Sequence, residues 1–140
     1  MVRFIALIAL ANLAGCAPPR WTQEECWDQP ITWNMSETEL AATIRPMSDT
    51  QLLDLAACNT VTSHPSNSGI PAQFVEERST TIAGPILSRL SARDEGLISM
   101  TYIDLLETAA THDPRALSSE QRNSALTLCR RHYTSCGTFE

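Results

Sequence analysis

The sequence predicts an all-α protein, a small irregular bundle of five or six short helices, and three observations carry that expectation. No alternating apolar and polar run long enough for a half-buried strand occurs in the 140 residues. Apolar residues recur instead at helical spacing, most clearly at Tyr102, Leu105, Leu106 and Ala109, with Thr101, Asp104, Glu107 and Thr111 on the opposite stripe. Helix-start signatures also recur, and two of them form a near-repeat, MSETEL at residues 35–40 and MSDTQL at residues 47–52.

In each copy of that repeat, Ser36 or Ser48 can accept from the third helical amide while Glu39 or Gln51 reaches back, which is a capping box. Met35 with Leu40, and Met47 with Leu52, stand where a hydrophobic staple would close over the cap. The duplication therefore reads as one structural instruction given twice, with helices over 37–45 and 49–58. Pro46 separates them, because it disfavours helix at Arg45 and cannot donate a helical hydrogen bond. Two copies at so short a period do not make a solenoid.

Residues 59–70, NTVTSHPSNSGI, read as a polar loop. Pro71 can open a helix through Phe74 and Val75, and Gly84-Pro85 is expected to punctuate the chain before Ile86, Leu87 and Leu90. Gly96 suits a helix end. The helix that follows from Ile98 is expected to stop at Asp113-Pro114. Ser118 with Gln121 opens the last helix, whose buried side would hold Ala125, Leu128, Cys129 and Tyr133.

Charge and composition narrow the function classes. Sixteen acidic residues face ten basic ones, all arginine, so a phosphate backbone would be repelled and nucleic acid is a poor partner. With no lysine, Schiff-base and P-loop chemistry are excluded. Five glycines leave little material for a phosphate-cradling loop, and the dinucleotide, serine-hydrolase, zinc-protease and EF-hand signatures are all missing.

The first residues, MVRFIALIALANLAGC, carry one positive charge at Arg3, an apolar run from Phe4 to Leu10, and small residues before a cysteine. That run is far short of the roughly 20 residues a membrane-spanning helix needs. Leu13-Ala14-Gly15-Cys16 resembles the lipobox of bacterial lipoproteins, a resemblance confined to this signal. It implies removal of residues 1–15, a diacylglyceryl thioether on Cys16 and an acylated new amino end. Several acyl chains hold a protein durably at a bilayer where one does so only marginally. Ala17, where an aspartate would favour inner-membrane retention, implies by the same resemblance the periplasmic face of the outer membrane. On this reading residues 16–20 are a lipid-anchored linker and residues 21–140 a single helical domain, and residues 16–140 together carry nine arginines against 16 acidic residues.

Four cysteines then remain, Cys26, Cys58, Cys129 and Cys136, which in an exported chain read as two disulfides with three pairings open. If the helices over 37–45 and 49–58 fold back on each other, Cys26 approaches Cys58, leaving Cys129 for Cys136. Seven residues within one helix span about 10 Å, too far for a disulfide, so the last helix must end before Cys136. No two cysteines show CxxC spacing, and His64, His112 and His132 share no ligand spacing, so neither metal nor cofactor is expected.

Trp21, Trp27 and Trp33 all lie in the segment WTQEECWDQPITW. Such a cluster close to a membrane could bind a glycan, the lipid interface or a partner protein. Its plainer reading is an aromatic segment packed over the bundle as a lid and tied down by Cys26. Glu24-Glu25, Glu76-Glu77 and Asp94-Glu95 are adjacent pairs that diverge on a helix, and Asp104 with Glu107 share a solvated face. The expectation is a non-enzymatic, lipid-anchored periplasmic module that binds or braces an envelope protein, through the tryptophans or the groove between the last two helices. The competing expectation is an envelope enzyme, a cell-wall hydrolase using loop carboxylates.

Overall fold

The computed structural model describes residues 35–61, 70–92 and 96–140, and these hold six α-helices, one short 3-10 turn and no strand. The helices are α1 (Glu37–Ile44), α2 (Asp49–Val61), α3 (Ala72–Glu76), α4 (Ser79–Ala92), α5 (Gly96–His112) and α6 (Ser119–Cys129), with the 3-10 turn Pro114–Ala116 before α6. The protein is thus all-α among these residues, as its patterning predicts.

Local chemistry accounts for three of the starts. Ser36 accepts from the Glu39 amide while Glu39 accepts from the Ser36 amide, and Ser118 with Gln121 does the same for α6. At α2 the Ser48 amide donates to Gln51 Oε1 at 2.8 Å and the Gln51 amide to Ser48 Oγ at 3.2 Å. Both copies of the repeat are therefore working caps. At the end of α5, Asp113 accepts from the Arg115 amide and Pro114 begins the 3-10 turn, where its missing N–H costs nothing.

α5 is the hub, since α2, α3, α4 and α6 all pack on it, α4 most extensively. Its buried face is wider than a two-row stripe: Ser99, Ile103 and Ala110 are buried beside Tyr102, Leu105, Leu106 and Ala109. A helix flanked by neighbours on several sides needs that width. α2 is enclosed almost as fully, with Leu52, Leu53, Leu55, Ala56, Ala57 and Cys58 buried. α1 is the outlier, burying Ile44 alone.

Three expectations about boundaries are corrected. The helix over 49–58 does not yield to a loop at residue 59; it runs to Val61. Thr60 supplies the reason, because its hydroxyl donates to the Ala56 carbonyl at 3.0 Å and meets the Thr101 hydroxyl of α5 at 2.7 Å. Gly84-Pro85 does not interrupt the chain either, and both lie inside α4. Ile82 and Ala83 before the pair, and Ile86, Leu87 and Leu90 after it, are all buried. Burying each large aliphatic side chain is worth about 1.5–3 kcal/mol, so three or four of them outweigh the ~3 kcal/mol cost of an interior proline. Finally, Gly96, expected beside a helix end, is itself the first residue of α5. Its φ of +41° is left-handed, which only glycine adopts without strain.

One disulfide, Cys129–Cys136, joins two described cysteines, with Cα atoms 6.1 Å apart. α6 ends at Cys129, and the chain turns back through residues 130–135 to bring Cys136 within reach. Cys58 is also half of a disulfide. The expected Cys26–Cys58 bond has one end outside the described residues.

Candidate functional site

Cys16, Cys26, Trp21, Trp27, Trp33 and His64 lie outside the described residues, as do Glu24-Glu25 and Asp94-Glu95. The structure locates Cys58 near the end of α2, buried, and the Cys129–Cys136 pair at the end of α6. His112 closes α5, its Nδ1 3.9 Å from a Glu76 carboxylate oxygen. His132 lies in the turn just after α6, its amide donating to the Cys129 carbonyl at 2.9 Å. Among the described residues no group of three or more His, Cys, Asp and Glu could hold a metal ion.

Side-chain chemistry concentrates in three polar nodes. The first lies between α2, α4 and α5, where Arg89 donates to Asp54 at 2.7 Å, to the Tyr102 hydroxyl at 2.9 Å and to the Thr50 carbonyl at 3.3 Å. The Tyr102 hydroxyl in turn donates to the Leu53 carbonyl at 3.3 Å. Burial opposes the charge on Arg89, but its hydrogen bonds to Tyr102 and Asp54 prevail and hold the guanidinium more basic than usual. Burial pushes the Tyr102 phenol up, against the pull of Arg89. These hydrogen bonds join α4 to both α2 and α5, so the node ties helices together.

Arg78 makes the second node, donating to the carbonyls of Met47, Ile44 and Arg45 at 2.8, 3.3 and 3.4 Å and to Asp49 at 3.4 Å. Next to it Arg45 pairs with Glu77 through two donors, at 3.0 and 3.3 Å, and lies over the Phe74 ring. The hydrogen bond from Arg45 holds the Glu77 carboxyl below the usual range.

At the third node, the C-terminal segment is laid against the outer stripe of α5. Tyr133 donates to Asp104 at 2.7 Å and Thr138 to Glu107 at 2.6 Å. Burial, followed by the Asp104 hydrogen bond, pushes the Tyr133 phenol up to about 12. Asp104 and Glu107 do share a face, as their spacing predicts, but each accepts a hydroxyl from the tail. The spacing of α5 contains no signal for that, because the partners come from residues 29 and 31 positions further on.

The groove expected between the last two helices is filled. Ala125, Leu128 and Cys129 of α6 are buried, together with Cys136 and Phe139 from the tail. The large apolar side chain exposed among the described residues is Leu97, at 67%. No described helix is long and apolar enough to cross a membrane.

Compared with family models, with curated proteins and with solved structures, the chain finds no match.

Proposed function

We propose that this protein is a lipid-anchored module of the bacterial cell envelope, held at the periplasmic face of the outer membrane, that acts by binding or bracing another envelope protein. The observation that carries the reading is Leu13-Ala14-Gly15-Cys16 closing a short apolar signal. From Cys16 to Cys26 the chain can extend at most about 36 Å, so the helical body works close to its own leaflet.

Two features support binding over turnover. Several carboxylates of the body are engaged by partners that hold the fold: Asp54 by Arg89, Asp49 by Arg78, Glu77 by Arg45, Asp104 by Tyr133 and Glu107 by Thr138. The described surface is also poor in large exposed apolar side chains, which leaves Trp21, Trp27 and Trp33 as the candidate contact residues. With Cys129 and Cys136 joined and Cys16 taken by lipid, Cys26 is the partner that remains for Cys58. That bond would tie the tryptophan segment to the end of α2.

Metabolic labelling with a fatty acid tests the anchor: the wild type takes up label and Cys16→Ser does not, whereas an unlabelled, freely soluble wild type ends the reading. Cross-linking in intact cells tests the binding role, with Trp21→Ala, Trp27→Ala and Trp33→Ala each reducing partner recovery while the fold survives. An envelope polymer degraded by the purified protein, and spared after one Asp or Glu substitution, would replace binding with hydrolysis.

A further inference from the structure

Residues 130–140 contain no α-helix, and the buried ones among them are Cys136 and Phe139, 4% and 2% exposed. Attachments of this segment to the body include Tyr133, packed partly against the core with its hydroxyl on Asp104, Thr138 on Glu107, and the Thr138 carbonyl accepting from Arg122 at 2.7 Å. Ordering so long a stretch costs backbone entropy at every residue, and the aromatic anchors Phe139 and Tyr133 offset only part of it. The covalent bond from Cys136 to Cys129, seven residues back, removes much of that freedom from the open state.

We propose that residues 130–140 are a strap over α5 and α6 that closes when Cys129 and Cys136 are oxidised and is open while they are thiols. Closure requires an oxidant of the exchanging-disulfide class. One cysteine thiolate attacks the oxidant's sulfur–sulfur bond, releasing one thiolate and forming a mixed disulfide. The second cysteine thiolate then attacks the protein sulfur of that mixed disulfide and releases the other thiolate. Two electrons pass to the oxidant and two protons leave the cysteine pair. Once shut, the strap protects its own lock, because Cys129 is 3% and Cys136 4% exposed and an external thiolate must wait for opening. The strap therefore latches in one direction, on arrival in an oxidising compartment, whether or not Cys16 is acylated.

The test uses the full chain carrying Cys129→Ala with Cys136→Ala, and follows hydrogen exchange by mass spectrometry in residues 130–140, α4 and α5. The latch predicts that opening of residues 130–140 increases by on the order of 50-fold, with α4 and α5 still protected. Unchanged protection of the tail overturns it, and so does loss of protection in the tail and α5 together. Should the variant fail to fold, graded reduction of the oxidised wild type by dithiothreitol, with freed thiols mapped by alkylation, decides: exchange in residues 130–140 must rise before exchange in α5.

Discussion

The guanidinium of Arg78 donates to the backbone carbonyl of Met47 at 2.8 Å, and the same group reaches the carbonyls of Ile44 and Arg45 at the end of α1. α1 has no basic residue in its own last turn, so its terminal carbonyls and the negative end of its dipole are met from a residue more than thirty positions on. α1 buries Ile44 alone, and this contact does much to hold it. Arg78→Ala is expected to cost about 2 kcal/mol, measured by urea unfolding, with Arg78→Lys recovering part of it. A loss below about 0.5 kcal/mol would show that water serves those carbonyls equally well.

Asp54 and Arg89 are three-quarters buried and joined at 2.7 Å. A double-mutant cycle over Asp54→Asn and Arg89→Met should give a coupling of about 1–2 kcal/mol, above the range of exposed pairs. Additive effects would assign the whole cost of Arg89 to Tyr102 and Thr50.

Gly84 sits inside α4 with nothing within 4 Å of an added Cβ and no unusual backbone angle. Gly84→Ala should raise stability by about 0.5–1 kcal/mol. Gly96 also has open space but a φ of +41°, so Gly96→Ala should destabilise by about 1 kcal/mol. Thermal melts of the two variants must move in opposite directions, and a shared direction would contradict the backbone argument.

The Tyr133 phenol is pushed up to about 12, by burial first and then by Asp104. A raised folded value means that the protonated phenol is the stabilised form. This contribution is complete below the ordinary tyrosine value of about 10 and is lost as pH rises toward about 12. In a Tyr102→Phe background, titration of the 295 nm absorbance should place the remaining phenol near its raised value. A midpoint at the ordinary value would place Tyr133 in solvent.

Ser118→Ala removes the cap of a helix whose Ala125, Leu128 and Cys129 are buried, and should cost about 1 kcal/mol globally. The same change at Ser36 uncaps a helix that buries only Ile44. It should fray α1, seen as faster exchange there, with a smaller change in the unfolding midpoint. Equal global losses would mean that α1 unfolds with the bundle.

What the sequence determined by itself was local. Ser36, Ser48 and Ser118 with the acceptor three residues on start helices wherever they stand, since both partners of a capping box lie within one turn. The 3.6-residue rows of α5 likewise show which face turns inward, and the spacing of Cys129 and Cys136 requires the helix to end between them. Tertiary structure alone decided the rest. Gly84-Pro85 carries a break signal that burial of α4 on α5 overrides, and the helix past Cys58 is held by Thr60 meeting a threonine 41 residues away. The partners of Asp104 and Glu107, and the arginine that closes α1, come from elements distant in sequence. A hydrogen bond of that kind depends on where packing has placed two helices, and no spacing within either helix encodes it.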